Sequence, residues 1–212
     1  MSGILDLLSS DLGKTIISGV AGQIGQDENK TGNLLTMAMP VLMQAMKQNA
    51  STPQGAEGLL SALNSKHDGS ILDNLSGFFG GDVDANVMDD GGKILGHVLG
   101  GKQQHVESAL SQKSGIDAGS VANILKVAAP ILMGILGKQS KKQQVSDSGG
   151  LENLLGGLLG GNSAQQEQSF LESILDADGD GSVIDDVAGM VLGGSKKKSG
   201  LGGLLGGLFG KK

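Results

Sequence analysis

The chain has 212 residues, with no cysteine, tryptophan or tyrosine, four phenylalanines and a formal net charge of −6. Disulfides, zinc thiolate centres and cysteine nucleophiles are excluded, and the acidic balance argues against a general nucleic-acid binder, which needs a basic face for the phosphates. The core must be aliphatic; glycine, at 38 residues, is about 2.5 times its usual share of ~7%, so local stability is expected to be uneven.

The opening stretch, "MSGILDLLSSDLGKTIISG", has neither the basic region nor the unbroken apolar core of a signal peptide. No unbroken apolar run approaches the roughly 18 residues of a membrane helix, so the expected location is the cytoplasm. Further on, "NLLTMAMPVLMQAMKQ" (Asn33 to Gln48) aligns with "NILKVAAPILMGILGKQ" (Asn123 to Gln139) at a constant offset of 90. The same offset carries Ile4-Leu5 onto Ile94-Leu95, Gly25 onto Gly115 and Asp27 onto Asp117. This reads as an internal duplication. Beyond it the offset grows to 112, where "LLSALNSKHDGSILDNLSGFFGG" (Leu59 to Gly81) matches Phe170 to Gly194.

The expected organisation is therefore a first helical repeat at 3–81, a Gly/Asp-rich joint at 82–92, a second repeat at 93–194 and a Lys/Gly/Leu tail at 195–212. Leu34, Leu35, Ala38, Val41, Leu42 and Ala45 share one helical face, as do Ile124, Leu125, Ala128, Ile131, Leu132 and Ile135. Pro40 and Pro130 fall inside these runs and are expected to kink or split the helices. Thr52 followed by Pro53 marks a helix start, and Ser163 with Gln166 forms a possible capping box. Residues 138–150 are polar and read as a flexible loop inserted in the second repeat. No alternating strand pattern is present, so the fold class is all-α, with two diverged tandem repeats.

Three segments together, "HDGSILDNLSGFFGG", "GGKILGHVLGG" and "VANILKVAAPILMGILGKQ", resemble the bacterial YidB-like family, domain of unknown function 937. The resemblance covers nearly the whole chain except the tail. It implies an all-helical, homeodomain-like fold, and it implies no activity and no catalytic residues.

"DADGDGSVIDD" (Asp176 to Asp186) carries the strongest chemical signal. An EF-hand-type calcium loop places carboxylates at positions 1, 3 and 5, glycine at 6, a backbone carbonyl at 7 and an aliphatic residue at 8. Asp176, Asp178, Asp180, Gly181, Ser182 and Val183 occupy those places. Position 12 is Val187, which cannot ligate, so Asp186, rather than Asp185, is the expected closing ligand. In the first repeat Asn64, Lys66, Asp68 and Asn74 replace Asp176, Asp178, Asp180 and Asp186. That loop is expected to keep its turn without metal, with Lys66 neutralising Asp68. The metal set is then Asp176, Asp178, Asp180, Ser182 and Asp186 with Ca2+; the other reading is a solvated acidic turn.

His67, His97 and His105 show no catalytic or metal spacing, and "DVDANVMDD" (Asp82 to Asp90) reads as a solvated linker and helix start. Nothing assembles a nucleophile, a base and an orienting group, and no small-molecule substrate is suggested. Leu201, Leu204, Leu205, Leu208 and Phe209 form an apolar stripe, repeated at Leu151, Leu154, Leu155, Leu158 and Leu159. Such a stripe suits a groove, a sister subunit or a membrane surface. The expectation is a non-enzymatic helical scaffold or interaction protein with one calcium loop, binding a protein partner or its own copies. The alternative is a self-assembling or peripheral membrane protein acting through the tail.

Overall fold

A computed structural model describes residues 3–81 and 84–160, and the described residues are all α, with no strand. In chain order they form α1 (Ile4–Ser9), α2 (Asp11–Ile24), α3 (Glu28–Ala50), α4 (Pro53–Ser65), α5 (Leu75–Phe79), α6 (Ala85–Leu99), α7 (Gln103–Ser114), α8 (Ala118–Gln143) and α9 (Ser148–Leu159). Short 3-10 turns at Ser70–Asn74 and Gly100–Lys102 join them.

Asp27 and Asp117 open the two longest helices by the same chemistry. Each side chain accepts from the backbone N–H three residues on, Lys30 and Ser120, both at 2.9 Å. That satisfies one of the donors a first helical turn leaves over. Just before them, Gly25 and Gly115 end α2 and α7 in the left-handed conformation, at φ 68° and 67°, where a side chain would be strained.

Both apolar faces read from the sequence are buried, from Leu34 to Ala45 on α3 and from Ile124 to Ile135 on α8. Further apolar residues on each helix are buried too, so α3 and α8 are the core helices rather than amphipathic surface ones. By length and composition α8 could cross a membrane, although Lys126 interrupts its apolar run; 72% of its apolar window is buried inside the protein.

The prolines do not split these helices: α3 and α8 each run through Pro40 and Pro130. A proline removes one N–H and so releases the carbonyl four residues back, which for Pro130 is that of Lys126. The Lys126 oxygen lies against Gly91 of α6, where a Cβ would come within 1.8 Å. The released carbonyl thus faces a helix that only glycine allows so near. A second correction concerns residues 138–150. Lys138 to Gln143 continue α8 for another turn and a half, and α9 already begins at Ser148.

Helix α6 makes its main contact with α8, and α2, α4 and α7 each pack on both α3 and α8. Helix α9 lies chiefly on α3. Thr52 caps α4, as expected, by accepting from Gly55 N–H at 3.1 Å, and Asp147 caps α9 by accepting from Gly150 N–H at 2.8 Å. Leu59, Leu60 and Leu63 of α4 stand ninety-five positions before Leu154, Leu155 and Leu158 of α9. So α9 takes the place after α8 that α4 takes after α3. The segment aligned with α4 by sequence, from Phe170 on, lies outside the described residues.

Candidate functional site

Residues of α4 and α6 line a cleft of about 440 Å³. Its floor is Met46 of α3 and Met133 of α8, both buried. Its walls are Gly55, Gly58, Leu59 and Ala62 on one side and Ile94 and Val98 on the other. One end is closed by Asn49, whose amide donates to the carbonyls of His97 and Val98 at 2.9 and 3.1 Å. The other end is closed by His67 and Asp90.

His67 and Asp90 also line a second cavity of about 260 Å³, with Ile71, Phe78 and Pro130, so the pair forms the wall between the two. His67 Nε2 is 3.6 Å from one Asp90 oxygen, and Lys66 Nζ pairs with the other. Burial pushes the His67 imidazole below its ordinary value; Asp90 opposes this and Lys66 adds to it. At neutral pH the ring is therefore uncharged, and its contact with Asp90 is dipolar rather than an ion pair.

The loop that carries His67 is docked on α8. The His67 carbonyl lies against Gly137. Lys141 reaches Asp68 at 2.7 Å and Lys138 reaches Asp73 at 3.0 Å. The Lys141 ammonium and then Ser70 hold the Asp68 carboxyl well below the usual carboxylate range. Lys66 therefore does not neutralise Asp68, as expected from their spacing: it turns to Asp90, while the extended α8 supplies the lysines for the loop.

The acidic stretch before the cleft is divided among separate tasks. Asp84 caps α6 by accepting from Asn86 N–H at 2.8 Å, Asp89 pairs with Lys93 one turn on at 2.6 Å, and Asp90 takes Lys66. His97 and His105 are exposed. No group of three or more His, Asp or Glu side chains with the geometry to hold a metal occurs among the described residues. Asp176, Asp178, Asp180, Ser182 and Asp186 lie outside them, as do Ser163, Gln166 and the 195–212 tail. The His67–Asp90 pairing was not read from the sequence, since a contact between residues 23 positions apart on different elements leaves no local pattern.

A family model described as "Bacterial protein of unknown function (DUF937)" matches residues 6–139, and the chain belongs to that family. The match takes in the cleft, all of α3 and α8 as far as Gln139, but stops before α9, the aspartate loop and the tail, short of the extent suggested by the resemblance. No curated protein and no solved structure matches the chain.

Proposed function

We propose that this member of the family is a non-enzymatic helical interaction protein, and that its α4/α6 cleft receives an apolar surface. The observation that carries this reading is the chemistry of the cleft. Its floor is thioether and its walls are chiefly aliphatic, with Gln54 and His97 also lining it, while the charges of Asp90 and Lys93 are committed to Lys66 and Asp89. What it offers a ligand is apolar area and shape, which is how methionine-floored grooves take partners. Gly58 provides the test, because a Cβ there meets nothing within 4 Å. Gly58→Leu should fill the cleft without disturbing the fold. Fluorescence of an apolar anilinonaphthalene dye should fall several-fold, with circular dichroism unchanged. Equal dye binding by both proteins would sink the proposal.

The calcium reading of Asp176, Asp178, Asp180, Ser182 and Asp186 gains support from the first-repeat loop. There Asp68 and Asp73 are each met by a lysine from α8. No lysine occurs between residues 143 and 195, so a cation for the carboxylates of the second loop must come from outside that stretch, and a bound calcium would supply one. Calorimetric titration should show saturable calcium binding, weak for magnesium, that disappears in Asp178→Ala/Asp180→Ala. No heat at millimolar calcium would leave the stretch an acidic turn.

A further inference from the structure

We infer that the α4/α6 cleft is a site for a small neutral amphiphile, an unbranched aliphatic chain ending in a hydroxyl, with that hydroxyl hydrogen-bonded to the His67 imidazole. This rests on the reading of the cleft as an apolar binding surface and names the chemical class of its ligand.

His67 is what a purely apolar ligand leaves unexplained. It is only 8% exposed, and its Nε2 stands 3.6 Å from an Asp90 oxygen, beyond hydrogen-bond reach. Neither ring nitrogen has a hydrogen-bond partner among the described residues. A buried polar group left so is costly, and such groups are nearly always paired in folded proteins. The ring lines the cleft as well as the second cavity, so it is reached from the cleft rather than sealed in the core. At the other end Asn49 already spends its amide on the His97 and Val98 carbonyls, and Gln54, Lys93 and His97 are exposed to water. The unmet buried group is at the His67 end.

Charge decides the head group. Lys66 holds Asp90 and Asp89 holds Lys93, so neither an ammonium nor a carboxylate finds a free counter-ion in the cleft. A carboxylate at His67 would also face the Asp90 carboxylate. The uncharged imidazole offers one donor and one acceptor, and a hydroxyl is itself both, so it pairs with either tautomer of the ring.

The chain follows from the rest of the lining. Met46 and Met133 adapt in shape, Leu59, Ile94 and Val98 are aliphatic, and no phenylalanine lines the cleft. Such a lining suits a flexible chain better than a flat ring. The cleft, at about 440 Å³, lies at the small end of small-molecule sites, which run from about 300 to 1,000 Å³. A protein surface laid across the mouth would not reach a ring as deeply buried as His67, whereas a chain that enters the cleft would.

Octanol is the probe, with octanoate and octylammonium as its charged-head counterparts, on the full chain carrying isotopically labelled histidine. The chain has three histidines, and His105, exposed and outside the cleft lining, is the internal control. Octanol should shift the ring-nitrogen resonances of His67 saturably and leave those of His105 in place, and Gly58→Leu should abolish the shift. One hydrogen bond sets the size of the effect: octanol should bind about tenfold more weakly to His67→Leu, and octanoate and octylammonium about tenfold more weakly than octanol to the wild type. Octanol that leaves the His67 resonances unmoved overturns the inference, a result that needs only the wild type and so holds even if His67→Leu does not fold. Octanoate or octylammonium binding as well as octanol overturns it too. If octanol displaces the anilinonaphthalene dye without moving the His67 resonances, the cleft remains an apolar surface and only the head-group assignment fails. If the dye binds the wild type and Gly58→Leu equally, the reading of the cleft itself fails.

Discussion

The His67 carbonyl oxygen lies so close to Gly137 that a Cβ on that glycine would stand 1.8 Å from it. The loop after α4 therefore rests main chain to main chain on the core helix of the other half, and α8 can admit nothing larger there. Gly137→Ala must push the loop away or bend α8, and should cost about 1–3 kcal/mol or more. Gly96→Ala is the contrasting case: it sits in the interior of α6 with nothing within 4 Å of its Cβ. Better helix propensity should stabilise it by up to about 1 kcal/mol. Urea unfolding of both variants checks the opposite signs.

Protonation of His67 should destabilise the fold. Burial sets its folded-state value below the ordinary one, with Asp90 opposing and Lys66 reinforcing. As pH falls below about 6.5, the unfolded chain takes up the proton before the folded one does. The favourable contribution is thus complete above that pH and is lost as pH drops toward the folded value. His67→Gln should flatten the stability profile between pH 7 and 5, as followed by urea unfolding at each pH.

Asp68 acts further down the scale. Lys141, and after it Ser70, lower its folded-state value. Its contribution is present above about pH 4, the unfolded carboxylate range, and is lost as pH falls below it. Wild type should melt above Asp68→Asn at pH 7, with the gap closing below pH 4. Because the pair is solvent-accessible, the gap should also shrink in high salt. Lys141→Met should reproduce the loss at neutral pH.

The matched caps give a quantitative comparison between the halves. Asp27→Ala and Asp117→Ala should each cost about 1 kcal/mol in chemical denaturation, and asparagine at either place should recover most of it. A large effect at one and none at the other would show that the equal geometry is not equal in energy.

The parts of this structure legible in the sequence are those written in local period and local chemistry. Leu34 to Ala45 and Ile124 to Ile135 announce buried helix faces by their 3, 4, 7 spacing, and Thr52-Pro53 announces a helix start. Local rules misled where tertiary packing overrode them. Pro130 lies within a continuous helix whose released carbonyl faces Gly91, and the polar run from Lys138 stays helical while two of its lysines meet Asp68 and Asp73. The cleft was not legible at all. Its closure depends on Asn49 meeting the end of α6 and on His67 meeting Asp90. Neither pairing follows from spacing, and Lys66 looked closest to Asp68 only because the chain was read as a line.

The packing of late helices on α3 also sets a timetable for synthesis. When a ribosome has completed residue 81, α3 exists without α7 and α9, the helices that lie on it in the folded protein. The part of α3 that α9 covers stays open until residue 159 has emerged. At about 5–20 residues per second, that leaves roughly 4–16 s of exposed apolar helix on every nascent chain. A chain arrested or cleaved before α9 would leave the α3 surface on which α9 lies uncovered, and should be a better substrate for chaperones and proteases than the whole chain.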